Sequence, residues 1–437
     1  MIINRILSGS QKLFSYFYDR SWLLRNIDKL IYINILLVIF TSGFMSSDYI
    51  GYFALFTIIL TVIKMMTKTG EKFYLSSGDI LLLIYFMLLI ISVAGSSLFA
   101  LSLKGFFKTL TYIGFYISVI HYLKDNRRNL KYILMAIGAV VFTETLVAFR
   151  QNFISVSEIS GWQDVSHLNP EEIMTRVYGS LKPYNPNLFG GYMIAALPCT
   201  LIFTYLPLVN RHFKTAMLGF LVFILSVIAV IMTGCRGAYI GLFFELVILG
   251  LISYRLLSKF YKKLLVFISS FILTVAFTAV CFVSSLRARV FSIFSMRNDS
   301  SNSFRFNVYN SCVDMFKDNW LLGIGLGNQN FREIYGLYMK TGFDALSAYN
   351  IYLETAVESG IFSLIAFLGF LTINIGKALR YIFRRSNINV LYLVIALSSV
   401  AGMMVHGLVD TVFFRPQIQF IFWIMMGIIR VITVPKR

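Results

Sequence analysis

Apolar runs of about 20 residues, the length that crosses a bilayer as a helix, recur from one end of this chain to the other. Stretches such as "FLVFILSVIAVIM" and "LFFELVILGLI" leave almost no polar interval between neighbours. In hydrocarbon every backbone amide must be satisfied within its own segment or in a closed barrel. Runs this continuous lack the alternation of a β-barrel strand. Only 14% of the residues are charged, against roughly 25% in a soluble domain. The pattern predicts an all-α polytopic membrane protein with about twelve transmembrane helices, at 30–47, 49–66, 79–99, 105–123, 130–149, 187–208, 215–234, 237–256, 264–285, 357–376, 390–409 and 418–433.

The formal net charge is +19, which in a soluble chain would suggest nucleic acid. Here the placement of the charges decides against that partner. Most of the 39 Lys and Arg residues fall in the terminal arms and in every second loop, for example Lys64, Lys68 and Lys72, Lys124 to Lys131, and Arg380 to Arg385. Such an excess marks the cytoplasmic side and attracts anionic membrane lipid. An even number of spans then places both termini in the cytoplasm. Residues 1–29 are basic and amphipathic, without a cleavage site, and read as a retained cytoplasmic arm. Residues 30–285 hold helices one to nine and residues 357–437 hold the last three.

Two loops on the other side are long, 150–186 and 286–356. Long loops outside a compact bundle usually carry function. Within 286–356, "SFRFNVYNSCVDMFKDNW" has helical spacing, "GIGLGNQNF" is a turn-rich break, and "ALSAYNIYLETAVESG" resumes helical spacing. This segment reads as a large extracytoplasmic helical cap between spans nine and ten. Cys199, Cys235, Cys281 and Cys312 form no CxxC pair. The four histidines share no metal-ligand spacing, so neither a metal nor another cofactor is expected.

The charges on the outer side are the informative ones. Arg236 stands in "TGCRGAYIG", in a tight turn between spans seven and eight. A guanidinium at the hydrocarbon edge must reach water or meet an anion. It either snorkels to lipid headgroups or holds a phosphate, whose oxygens match its planar fork of donors. Arg176 and Lys182 precede span six, where the "NPN" turn, including Asn187, caps the helix. Arg305 lies on the helical cap. His406, Asp410 and Arg415 sit at the turn between the last two spans, with His406 and Asp410 spaced for one helical face. Two carboxylates, Glu144 and Glu245, lie inside spans, where each either lines a pathway or bonds to a neighbouring helix. Several cations at one membrane surface suit a lipid-linked phosphate or pyrophosphate.

"RVYGSLKPYNPN", "TGCRGAY", "FRFNVYNSCVDMFKDNWLLGIGLGN", "ALSAYNIYLETAVESGI" and "HGLVDTVFFRP", in this order and on matching sides of the membrane, resemble the O-antigen ligase and polymerase superfamily. Within it they most resemble the branch labelled as bicarbonate transporters of cyanobacterial type. The resemblance implies a GT-C-like membrane enzyme of the bacterial inner membrane. Such an enzyme transfers a glycan from undecaprenyl pyrophosphate to a lipid, glycan or protein acceptor, without metal or nucleotide. It also implies that Arg236 and Arg305 bind the pyrophosphate, with Arg176 or Lys182 assisting.

Where the family has a histidine followed by asparagine, taken to activate the acceptor, this chain has Tyr349 and Asn350. A phenol with a pKa near 10 is a poor base at neutral pH. Either Tyr349 positions the acceptor while Glu354, Glu358 or His406 serves as base, or a neutralised pyrophosphate leaving group makes a base unnecessary, or the chain does not ligate. The competing functions are a small-anion transporter, which predicts a midplane site flanked by broken helices, and a non-catalytic component of an envelope polysaccharide assembly.

Overall fold

The computed structural model describes residues 2–153, 175–293 and 300–434, and among these every regular element is helical. The arm forms α1 (Ile2–Arg20) and the short α2 (Trp22–Arg25). α1 packs along the fourth helix, and Gln11 anchors it by donating to the carbonyls of Met65 and Glu71, 2.9 Å each. Its other face exposes Ile6, Leu13 and Phe17, as befits a helix lying at an interface. There follow α3 (Ile27–Phe44), α4 (Ser47–Thr67), α5 (Ser77–Ala94), α6 (Phe99–Asp125) and α7 (Leu130–Phe153). After the first long loop come α8 (Pro186–Ala196), α9 (Ile202–Val209), α10 (Phe213–Met232), α11 (Arg236–Leu256) and α12 (Lys259–Phe282). The cap contributes α13 (Ser284–Phe291), α14 (Ser300–Asp318) and α15 (Asn328–Tyr335). The chain ends with α16 (Ile351–Arg384), α17 (Ile388–His406) and α18 (Pro416–Thr433).

Eleven helical spans among the described residues are long and apolar enough to cross a membrane, one fewer than the sequence pattern suggests. The difference is α6. Its 27 residues suffice in length, but Lys104, Lys108 and His121 dilute its apolar character, and it packs as a bundle member along α18 and α4. α18 is the axis of the bundle: 94% of its apolar window is buried, against α6, α17, α3, α16 and α8. α12 is the opposite case, with no buried residue.

Two spans are irregular, and in both the freed backbone is satisfied by other parts of the protein. The sixth, expected as one helix over 187–208, breaks at Leu197–Leu201 into a tighter turn that contains Pro198. Proline brings no amide donor, and the Ser399 hydroxyl takes up the Ala195 carbonyl at the break. The whole stretch is buried, which is where a membrane protein tolerates irregular backbone.

α16 begins at Ile351, earlier than the expected 357, and is interrupted at Gly360, whose φ of 80° suits glycine. The "GIGLG" segment docks into this gap. Ile324 N–H donates to the Val357 carbonyl (2.9 Å), Gly325 N–H to the Glu358 carbonyl (3.0 Å), and Ile361 N–H to the Trp320 carbonyl (2.9 Å). Gly327 N–H adds a bond to the Glu358 carboxylate (2.9 Å). The turn-rich break in the sequence is thus the clasp that fixes the cap to the bundle.

The bundle has a basic end and a site end. At the basic end Lys64 lies 2.7 Å from Asp28 and 3.4 Å from Glu71, and Arg430 lies 2.7 Å from Asp79. At the site end are the turn before α8, the α10–α11 turn, α13, α14, the loop before α16 and the turn between α17 and α18.

Candidate active site

The site is built on four turns. α10 ends at Met232, and the chain reverses through Gly234 at a φ of 61° before α11 starts at Arg236. A side chain at Gly234 would be doubly disfavoured, because a Cβ there would stand 3.0 Å from the Arg176 Cγ lying across the turn. Arg176 is buried. Its Nε donates to the Thr233 carbonyl (2.8 Å) and its Nη2 to Asn187 Oδ1 (2.6 Å). Asn187 is in turn held by Asn185, whose side chain caps α8 by accepting from the amides of Asn187 and Leu188. The "NPN" turn therefore caps the helix as expected, and Asn187 also aims Arg176.

Arg236, 8% exposed, donates through Nη1 to the carbonyl (3.2 Å) and hydroxyl (3.3 Å) of Ser292, just past α13. α13 also supplies a cation that sequence reasoning passed over. Arg289 Nε donates to the Gly234 carbonyl (2.7 Å), on the same turn that carries Arg236 and Arg176. Burial, together with the nearby charges of Arg176 and Arg236, pushes the Arg289 guanidinium down to about 10. It remains charged at neutral pH. Burial likewise lowers Arg176, and Arg236 adds to the effect. Three like charges thus share one turn. No spacing rule links position 289 to 176 or 236, so only its place in "SSLRARVF" beside the bundle end could have drawn attention to it.

Arg305, on α14, approaches the carboxylate of Asp410 with its Nη2 3.7 Å from Oδ2. The other carboxylate oxygen, Oδ1, accepts from the amides of Thr411 (2.7 Å) and Val412 (3.1 Å). The Asp410 charge partly offsets the lowering of Arg176. The Arg305 guanidinium carbon lies 5.8 Å from the centre of the Tyr349 ring. Tyr349 adopts a φ of 50°, a left-handed conformation that costs a non-glycine residue roughly 1–3 kcal/mol. Its surroundings hold it there: the Tyr309 hydroxyl donates to its carbonyl (3.2 Å), and Phe304 packs edge-on at 5.8 Å. Burial raises the Tyr349 phenol above its ordinary value, and the Asp410 charge raises it further.

The other expected site residues have structural employment. Asn350 caps α16, its Oδ1 accepting from the amides of Tyr352 and Leu353 while its Nδ2 donates to the Leu408 carbonyl (2.9 Å). Glu354 is buried and accepts the Ala348 amide (2.9 Å), which ties down the loop before α16. His406 and Asp410 do not share a helical face, because α17 ends at His406. The His406 ring is buried between α8 and α11, where methyl groups on Gly191 and Gly237 would meet it at 3.0 Å and 2.8 Å, and its Nε2 lies 4.0 Å from the Cys235 sulfur. Lys182 is exposed; Gln417 binds its carbonyl (2.9 Å), and among the described residues no contact ties its side chain to the arginines. All four cysteines are free.

Of the two intramembrane carboxylates, Glu144 accepts the Ser180 amide (2.9 Å) and bonds its hydroxyl, bracing the loop before α8. Glu245 is buried with neither oxygen hydrogen-bonded, facing Gly402 of α17.

A protein of Haemophilus influenzae described as uncharacterized is 25% identical over 207 residues, 44% of this chain and 51% of that one. The chain thus spans about half the length of the curated relative it matches. Residues 221–368 match the family model described as O-antigen ligase. Neither similarity supports the transporter label of the branch that the motifs most resemble. Across the segment that carries Arg236, Arg289, Arg305 and Tyr349, this membrane-embedded helical chain is similar to the O-antigen ligases.

Proposed function

We propose that the chain transfers a glycan from undecaprenyl pyrophosphate to an acceptor hydroxyl, on a lipid, a growing glycan or a protein, at the outer face of the bacterial inner membrane. With α6 crossing as a twelfth span, both termini lie in the cytoplasm. One observation carries this reading: Arg176, Arg236 and Arg289 meet at the α10–α11 turn, and Arg305 stands at the same end of the bundle beside Asp410. Guanidinium groups gathered at one place raise the local positive potential, which favours an anionic ligand. A diphosphate brings the opposite charge and an array of acceptor oxygens that guanidinium forks bind two at a time.

In the reaction the acceptor oxygen bonds to the anomeric carbon as the bond from that carbon to the diphosphate oxygen breaks. The electron pair leaves with the diphosphate, which the arginines neutralise. Attack from the face opposite the leaving group inverts the anomeric centre. The acceptor's proton goes to a base, and the geometry favours Asp410 Oδ2 over the residues the motif suggests. Glu354 is committed to the Ala348 amide, His406 is enclosed between helices, and the Tyr349 phenol is raised. When a diphosphate engages Arg305, Asp410 is released from the one cation at ion-pair distance from it among the described residues. Tyr349 positions the acceptor.

Reconstitution with undecaprenyl pyrophosphate-linked oligosaccharide and candidate acceptors tests the proposal, with release of the lipid pyrophosphate as the readout. Turnover with acceptor is expected. No release with any acceptor, together with counterflow of labelled bicarbonate in the same vesicles, would replace ligation by anion transport. Two variants refine the assignment. Tyr349→His is expected to raise turnover and add an inflection near the imidazole pKa of about 6.5 to the pH–rate profile, whereas Tyr349→Phe leaves the profile unchanged. Asn187→Ala is expected to lower turnover roughly 10- to 100-fold by loosening Arg176, with the α8 cap retained through Asn185.

A further inference from the structure

α5 and α6 are joined by a short turn, and between the halves farthest from that turn lies a side cavity of about 260 Å³. Leu82, Ile113 and Tyr116 form its buried wall, while Leu83 and Leu110 on its rim are 43% and 39% exposed. An apolar cavity offers water too few partners to hold it. Left empty, its lining forfeits dispersion contacts.

One end of the cavity is polar and lies at the basic end of the bundle, remote from the arginine cluster. Asp79 there accepts from the Tyr116 hydroxyl (3.0 Å) and from Arg430 Nε (2.7 Å). Arg430 Nη2 also donates to the Tyr74 carbonyl (3.2 Å), and Lys124 Nζ lies 5.7 Å from the centre of the Tyr74 ring. Lys124 has a carboxylate partner only at 4.0 Å, in Glu71, and Lys377 lies within electrostatic reach of Asp79 and Arg430. His121 lines the same end. It is 5% exposed, its ring stacks on Phe73, and its Nδ1 has no hydrogen-bond partner.

A buried ring nitrogen without a partner is costly, and an apolar cavity next to it lacks filling atoms. A molecule with an apolar chain and a polar head satisfies both. Lys64, Lys68, Lys124, Lys377 and Arg430 stand at this end with Asp28, Glu71, Asp79 and Asp125, so the cations remain in excess and favour a negative head, and the lipid leaflet beside a basic protein surface is where such heads concentrate. We propose that this cavity is a binding site for one anionic phospholipid, its acyl chain lying between α5 and α6 and its head region meeting His121 and Lys124.

The test is native mass spectrometry of the delipidated full-length protein, titrated with phosphatidylglycerol or with phosphatidylcholine of the same chain composition. One phosphatidylglycerol is expected to bind at least tenfold tighter than phosphatidylcholine. Ile117→Trp, which fills the cavity, is expected to abolish that preference. His121→Phe keeps the stack on Phe73 but removes the ring nitrogen, and is expected to weaken binding severalfold. Leu83→Trp on the exposed rim narrows the mouth without disturbing the buried wall, and serves should Ile117→Trp fail to fold. Equal affinity for the two lipids, or undiminished phosphatidylglycerol binding by the folded tryptophan variants, overturns the proposal.

Discussion

Arg236→Ala is expected to lower glycan release roughly 100- to 1,000-fold, the usual consequence of removing one donor aimed at developing negative charge. The loss should appear in kcat as well as in kcat/KM, because the diphosphate carries more charge on the leaving oxygen in the transition state than in the ground state. Arg236→Lys should recover only part of it, since an ammonium keeps the charge without the fork. Ser292, which holds Arg236 Nη1, gives a milder perturbation of the same side chain through Ser292→Ala. Arg289→Ala is the more discriminating variant. Position 289 carries no motif, yet its Nε grips the Gly234 carbonyl beside Arg176 and Arg236. It should therefore lose activity comparably to Arg236→Ala. Activity retained in both would remove the basis for a diphosphate site.

Arg430→Met is expected to destabilise the protein by about 3–5 kcal/mol, the cost of breaking a buried ion pair from one side. Arg430 and Asp79 are both buried, and their bond joins the end of α18, the bundle axis, to the start of α5. Asp79 has a second duty there: it closes a capping box by accepting the Ser76 amide (2.7 Å) while the Ser76 hydroxyl caps the Asp79 amide. Loss of Arg430 leaves that buried carboxylate with Tyr116 and the cap as its hydrogen-bond partners among the described residues. The double variant Asp79→Asn/Arg430→Met should recover much of the loss, and a double-mutant cycle on thermal or denaturant unfolding measures the coupling. A single Arg430→Met variant that unfolds with the native midpoint would show that water reaches the pair.

The helical class and most of the span positions were legible in the sequence because hydrocarbon imposes a one-dimensional rule. A segment that crosses must be apolar for about 20 residues and must bond its own backbone. The cap helix α14, the turn at Arg236 and the helix cap at "NPN" were legible for a similar reason, since each is set by neighbours within a few positions. Arg176, Arg236 and Arg305 could be suspected because a charge in an apolar chain stands out. What local pattern could not show was the partner of each group. Asn350, Glu354 and His406 have the right chemistry for a site, but their hydrogen bonds and packing are to residues brought close only by folding, and those contacts commit them to structure. Asp410 and Arg289 became candidates for the opposite reason. Cap and bundle meet at the "GIGLG" clasp on Gly360, α13 lies against the α10–α11 turn, and α14 brings Arg305 to Asp410. Apolar length, being a property of single segments, settled that the chain is a polytopic helical membrane protein; which cations come together is a property of segments far apart in sequence, and only the packing of the helices decided it.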